Sequence, residues 1–357
     1  MREDVAAESP LLSICIPTYN RAECLDRLLG CLSGAVERHG TRVQVCVSDN
    51  HSPDGTAAVI RSWQQRFPLD AITQASNIGA TRNVSQVVGL ARGRWVLVMG
   101  DDDLVSPQGL EALLGELAVA PEGTWVLAGV ADDSGHELFL GGVRPGSYDT
   151  AQARSLLRHL GLQRCGFIGM HVFPASLRPT LTGLSPEASQ PWPHVALLLR
   201  HVATGGIRVC ATPLVHQAGA GKVLFWRQDD WMRLILRLVD LAGAARAAEG
   251  PAGGFYDAMI LGQLYAADAL KGMVYWRFLE PADFRTSAVR AYAARYRLLG
   301  WRAPLVLGHA LVLAAVWCTP VRVLAWIDKL RGRGDTLGRY EAERERSRGF
   351  DGVQRGL

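Results

Sequence analysis

The 357-residue sequence lacks a strong charge of either sign, its formal net charge being +4. That is too small to argue for nucleic acid, and no nucleic-acid partner is expected. No two cysteines are spaced C-x-x-C, and their number, seven, is odd. The simplest reading is reduced, mostly buried thiols in a cytosolic compartment. The stretch Met1 to Pro10 is acidic and polar, and does not read as a signal peptide. No apolar run reaches the ~20 residues that a bilayer requires. The run from Leu305 to Trp317 comes nearest, and it contains His309. No G-x-G-x-x-G stands at the first strand-to-helix turn, which disfavours an NAD-type dinucleotide fold. No internal repeat is visible.

What is present is a globular composition, 48% hydrophobic and 20% charged, long enough for one large or two modest domains. The informative stretch is Trp95 to Leu104. Its apolar run, Trp95 to Val98, is too short for a core helix and reads as a buried strand of a parallel sheet. Asp101, Asp102 and Asp103 follow directly, and a helical pattern then runs from Leu110 to Leu117. The carboxylates therefore sit at the carboxyl end of a central strand, where open α/β sheets bind ligands. Three adjacent carboxylates repel one another unless a cation compensates, and a hard divalent ion with open positions for phosphate oxygens does so. The alternative is an Asp-rich turn capping the next helix.

Earlier elements repeat the design. Leu11 to Ile16 reads as a strand ending in Pro17-Thr18-Tyr19-Asn20-Arg21, a turn that can hold a base or ribose, or simply cap a helix through Asn20. Val43 to Val47 reads as a second strand, followed by the polar loop Ser48 to Thr56. Asp49, first off that strand, can accept an N–H from a nucleobase or form an Asx turn. Asn77-Ile78-Gly79-Ala80-Thr81-Arg82-Asn83 opens the next helix, with Arg82 either near a diphosphate or solvated. Strand and helix thus alternate over the first 120 residues, an α/β doubly wound pattern.

In order, S-I-C-I-P-T-Y-N-R, V-S-D-N-H-S-P-D-G-T, N-I-G-A-T-R-N and V-L-V-M-G-D-D-D-L-V-S-P-Q-G-L resemble the motifs of family 2 glycosyltransferases with the GT-A fold. Within that family the chain is most similar to the O-antigen abequosyltransferase branch. The resemblance implies a GT-A domain over residues 1–225, with a nucleotide-sugar half (11–120) and an acceptor half (121–225), and a helical region over 226–357. It implies that Pro17, Thr18, Tyr19 and Arg21 line the donor, that Asp49 binds the base and that Asn77 and Asn83 shape the floor. Asp102 would hold Mg²⁺ or Mn²⁺ against the diphosphate, with Asp101 beside it. The usual first acid of D-x-D aligns with Gly100 here.

A second departure lies in the acceptor half. Many family members carry a Glu-Asp pair, its Asp the catalytic base, where this sequence has Pro193-His194. His194 is one candidate for the base, since imidazole titrates near neutrality. The other reading makes it a helix-start histidine bonded to its loop, with Asp103 or another acid as base. Trp192 suits stacking on an acceptor sugar or a place in the core. Cys165 to Phe173 reads as a strand, Ile207 to Cys210 and Leu214 to His216 as a short hairpin, and Gly219 to Lys222 as a loop over the donor. His216 and Lys222 are speculative diphosphate contacts. Helices are expected at Trp231–Ala248, Phe255–Phe278 and Asp283–Leu299. The apolar segment 305–317, followed by Arg322, Lys329, Arg331 and Arg333, fits a helix in the membrane interface, or a buried or homo-oligomer helix.

The expected activity is inverting transfer of a sugar from a nucleotide donor to a glycan or polyprenyl-diphosphate-linked glycan, in bacterial surface polysaccharide assembly at the inner face of the membrane. The rivals are a non-catalytic nucleotide- or sugar-binding scaffold and a nucleotidyltransferase.

Overall fold

The structure is a computed structural model. It describes residues 9–185, 192–217, 228–249, 254–266, 284–299 and 304–320, with 270, 273, 274, 276, 277 and 323 between and after them. The chain forms two compact units, Met1–Leu160 with Arg164–Lys222, and Gly161–Gln163 with Val223–Leu357.

The first unit is built on a mixed sheet of nine strands. In chain order these are β1 (Leu12–Thr18), β2 (Val43–Asp49), β3 (Leu69–Thr73), β4 (Trp95–Val98), β5 (Leu104–Val105), β6 (Trp125–Ala131), β7 (Gly146–Tyr148), β8 (His171–Pro174) and β9 (Ile207–His216). Across the sheet they run β3-β2-β1-β4-β8-β6-β9-β5, with β7 also on β9. β1, β2, β4 and β6 are buried along almost their whole length, as strands covered on both faces must be. The block β3-β2-β1-β4 is parallel, but β8 enters antiparallel between β4 and β6. The sheet is therefore less parallel than expected.

Helices cover it through apolar stripes. In α1 (Ala22–His39) the buried side chains Leu25, Leu28, Leu29, Leu32 and Val36 recur at helical spacing. Asn20 does not cap it; the Asp54 carboxylate accepts the Ala22 N–H at 3.0 Å from the loop after β2. α2 spans Thr56–Gln64 and α3 spans Ala80–Gly89. In α4 (Pro107–Val119) the Ser106 hydroxyl accepts the Gly109 N–H and Pro107 fills the first turn. α5 (Thr150–Arg164), kinked at Gly161, α6 (Arg178–Thr182) and α7 (Pro193–His201) complete the described helices of this unit.

Two readings are corrected. Residues 165–173 are a strand only from His171; a 3₁₀ turn occupies Ile168–Met170. The expected hairpin 207–216 is one strand, β9, with register shifts against β6 around Gly129. β5, directly after the aspartates, pairs Leu104 with His216.

The second unit contains α8 (Gln228–Glu249), α9 (Gly254–Leu264), α10 (Val289–Leu299) and α11 (Pro304–Cys318). His309 of α11 is fully buried. Its Nε2 donates to the Leu264 carbonyl at 3.0 Å and its Nδ1 accepts from the Tyr296 hydroxyl at 2.6 Å. Arg295 is tied inward to Asp240 at 2.6 Å. Among the described residues no helix is long and apolar enough to cross a membrane.

Candidate functional site

Strand register assembles the site. β1 pairs with β2 so that Thr18 faces Asp49, and with β4 so that Cys15 faces Val98. Three residues further along both chains, Thr18 stands level with Asp101. The Thr18 hydroxyl donates to Asp101 Oδ2 at 2.6 Å. Arg21, just past the end of β1, places one nitrogen, Nη1, 2.9 Å from Asp101 Oδ1 and 3.0 Å from Asp102 Oδ2. A single guanidinium therefore bridges the two carboxylates. Asp101 is buried, and that burial raises its pKa against the lowering pull of Arg21 and Thr18. Pro17 and Tyr19 flank Thr18 and are half-buried.

At the end of β2, Asp49 is fully buried. Its Oδ1 accepts the Ser52 N–H at 3.0 Å and the Ser52 hydroxyl at 2.5 Å. Its Oδ2 is buried with no hydrogen-bond partner among the described residues. A carboxylate oxygen in that condition is costly, and a donor brought by a ligand would satisfy it.

Amides tie these strand ends together. Asn83 donates to the Ser48 carbonyl at 2.9 Å and accepts from the Ser48 hydroxyl at 2.6 Å, so α3 is fastened to β2. Asn50 donates to Asn77 Oδ1 at 2.8 Å and accepts the Ile78 N–H at 2.9 Å. Asn77 Oδ1 also accepts the Gly79 N–H, closing the turn in which Gly79 takes φ 83°. Asn83 is thus a buried brace and Asn77 an exposed one. Arg82 is exposed. Ser48, Asn50 and Ser52 carry as much of this network as the residues singled out in the sequence. Their signal was their place in the polar run directly after a buried strand.

Gly100 explains the altered D-x-D. A Cβ there would stand 3.0 Å from Asp102 Oδ1 and 3.3 Å from Asp103 Oδ2. A side chain at 100 would therefore crowd both carboxylates, and glycine leaves them room. Among the described residues no three His, Cys, Asp or Glu side chains form a ready metal cluster. Asp101, expected beside Asp102 on the metal, has both oxygens engaged, by Thr18 and Arg21. Asp102 is the most exposed of the three carboxylates, and Asp103 is buried.

Of the two candidates for the base, Asp103 stands at this edge, and His194 lies in the core. His194 is 2% exposed, its Nε2 3.0 Å from the Gly166 carbonyl and its ring 5.0 Å from that of His171. Burial depresses its pKa to about 4, with the carbonyl contact opposing. The partner of Nε2 is thus a carbonyl of the segment before β8 and not of its own loop. Trp192, at its edge, lies 6.2 Å from the His194 ring. His216 pairs beside Asp103 through Leu104. The loop 219–222, with Lys222, and the residues 186–191 lie outside the described residues.

Residues 13–175 match the sequence model of Glycosyl transferase family 2. That segment is a family 2 glycosyl transferase domain. Abequosyltransferase RfbV of Salmonella typhimurium is 37% identical over 105 residues, 29% of this chain and 31% of the relative. Succinoglycan biosynthesis protein ExoO of Rhizobium meliloti is 31% identical over 106 residues, 29% of each. The match therefore spans under a third of these curated relatives. The crystal structure of S. aureus TarS 1-349 superimposes with a TM-score of 0.61 at 14% identity, covering 95% of this chain and 91% of that one. The fold is GT-A, as the motifs implied.

Proposed function

We propose that the chain is an inverting glycosyltransferase that moves a sugar from a nucleotide-diphosphate donor to a glycan or lipid-linked glycan, in bacterial surface polysaccharide assembly. The observation that carries this is the juxtaposition, at one sheet edge, of a buried Asp49 oxygen lacking a donor and an Asp101–Arg21–Asp102 charge cluster. The first suits a nucleobase N–H, and the second suits a diphosphate. The relatives and the family 2 domain support the same reading.

Within it, Asp49 accepts the base and Ser52 fixes its orientation. Thr18 and Arg21 hold Asp101 as a buried anchor. The residues fit a divalent cation through Asp102, whose side chain is a quarter exposed; it would supply a carboxylate, and the donor's phosphates would complete the shell. When bound, Mg²⁺ or Mn²⁺ would neutralise the charge that grows on the leaving diphosphate. Arg21 supplies cationic charge at the same place.

Asp49→Ala is expected to weaken nucleoside diphosphate binding about tenfold to a hundredfold, the worth of a charged hydrogen bond. Calorimetric titration of UDP, GDP, CDP and dTDP, with and without Mn²⁺, checks this and names the base. No binding of any of the four to the wild type defeats the reading.

We further infer a peripheral seat on the inner face of the membrane. α11 buries Val306, His309 and Leu313 and exposes Leu305, Leu307, Leu311, Val312 and Trp317, with Leu311 72% exposed. Arg322, Lys329, Arg331 and Arg333 follow in sequence. Apolar side chains beside basic ones suit an anionic lipid surface. Full-length Leu307→Asp/Leu311→Asp should no longer float with phosphatidylglycerol vesicles, whereas the wild type does. Equal flotation of both removes the inference.

A further inference from the structure

Arg21 does at this site what a metal is usually invoked to do. Its Nη1 lies within 3.0 Å of an oxygen on each of Asp101 and Asp102, and its side chain is 15% exposed. Asp101 is the deeper partner. It is buried, both its oxygens are taken, and Thr18 locks it in strand register. Asp102 is the shallower partner, with a 25% exposed side chain and only its Oδ2 on Arg21. The two halves of the bridge therefore differ in how readily they part. A guanidinium can leave the outer carboxylate and stay on the inner one, and its fork suits a diphosphate oxygen as well as a carboxylate.

We propose that Arg21 is an internal counter-ion that holds Asp101 and Asp102 without a metal. A nucleoside diphosphate, by drawing the guanidinium onto its own oxygens, then releases Asp102 as a ligand. While the guanidinium remains at 3.0 Å, it screens Asp102, and a divalent cation there must compete with it for the carboxylate. Once the diphosphate draws Arg21 away, Asp102 is no longer screened and two phosphates add their charge. Binding is thereby ordered, nucleotide first or together with its metal. By linkage each raises the affinity of the other by the same factor. Gly100 belongs to the same device. With no first acid at that position, the unliganded edge carries one negative charge fewer, and Arg21 offsets part of the charge of the bridged pair.

The inference rests on the donor-site reading and is separable from it. Mn²⁺ binding to the full-length chain is followed by electron paramagnetic resonance of the free ion, and UDP or another bound nucleotide by calorimetry in EDTA. In the wild type, nucleotide should raise Mn²⁺ affinity by about tenfold or more. In Arg21→Gln, Mn²⁺ should bind the nucleotide-free protein about tenfold tighter, while metal-free nucleotide binding falls by a similar factor, and the coupling between them shrinks. Arg21→Lys, which keeps the charge but not the fork, should lie between. Opposite movement of the two affinities is the signature. A damaged site or a merely structural arginine lowers both together, and that result overturns the proposal. So does an unchanged Mn²⁺ affinity in Arg21→Gln when nucleotide still binds the wild type. If the wild type binds no nucleotide, the donor-site reading itself falls and takes this inference with it.

Discussion

Asp102→Asn is expected to lower sugar transfer by about a hundredfold to a thousandfold while leaving the thermal midpoint nearly unchanged. The rate term follows from where charge develops. Breaking the sugar–phosphate bond leaves a diphosphate whose negative charge must be met at this edge, and Asp102 is the carboxylate that is both solvent-accessible and in contact with Arg21. The amide keeps the shape and loses the charge. The small stability term follows from placement. Asp102 is a quarter exposed and makes one ion pair, so its net worth to the fold is modest. Asp101→Asn would not be so clean a test, because Asp101 is buried between Thr18 and Arg21 and its replacement disturbs both contacts. Measured as donor turnover with acceptor, alongside a melting curve, Asp102→Asn also separates an enzyme from a binding scaffold. If the wild type turns donor over and the variant does so equally well, Asp102 has no part in the chemistry. If neither turns it over while both bind nucleotide, the scaffold reading gains the ground that the missing first acid and missing Glu-Asp pair left open.

The donor half was legible because its physics is local. A parallel strand buried on both faces reads as an apolar run, and the polar residues directly after it must lie at the ligand edge. Val96 to Asp103 and Val45 to Asn50 have that form, and the structure puts both ends at one sheet edge, on either side of β1. What was not legible depends on pairing across the chain. Nothing adjacent to Arg21 announces that its partners lie 80 and 81 positions away. Asn83 reads as a floor residue, but its amide is consumed in bracing Ser48, which only the packing of α3 on β2 reveals. β9 was read as a hairpin because Thr212-Pro213 interrupts its apolar pattern. Proline removes a ladder donor, and the strand absorbs it as a bulge opposite Gly129, where a Cβ would come within 3.2 Å of the Pro213 Cα. The burial of His194 was hidden for a related reason. Its position at a helix start was read correctly, but the Gly166 carbonyl and the His171 ring that enclose it come from elements 23 to 28 residues earlier.

That enclosure sets up a large effect of acid on stability. His171 and His194 are fully buried, 5.0 Å apart, with His201 and Trp125 in the same aromatic cluster. Burial drives the His171 pKa well below its ordinary value, with the neighbouring His194 adding to the shift, and holds that of His194 at about 4. A histidine depressed in the folded state stays neutral there while the unfolded chain takes up its proton. The stability it contributes is complete above pH 6.5 and is lost as pH falls toward 4, by about 3 kcal/mol for His194. Asp101 works in the opposite direction, since a carboxyl raised in the folded state is relieved by acid. A comparison with His194→Gln isolates the histidine, because glutamine can still donate to the Gly166 carbonyl but does not titrate. The urea midpoint of the wild type should fall steeply between pH 6.5 and 4.5, and that of His194→Gln less steeply. Parallel slopes for the two proteins would mean that His194 reaches water in the folded state. In that case its imidazole is accessible after all, and it returns as a candidate for the base beside Asp103.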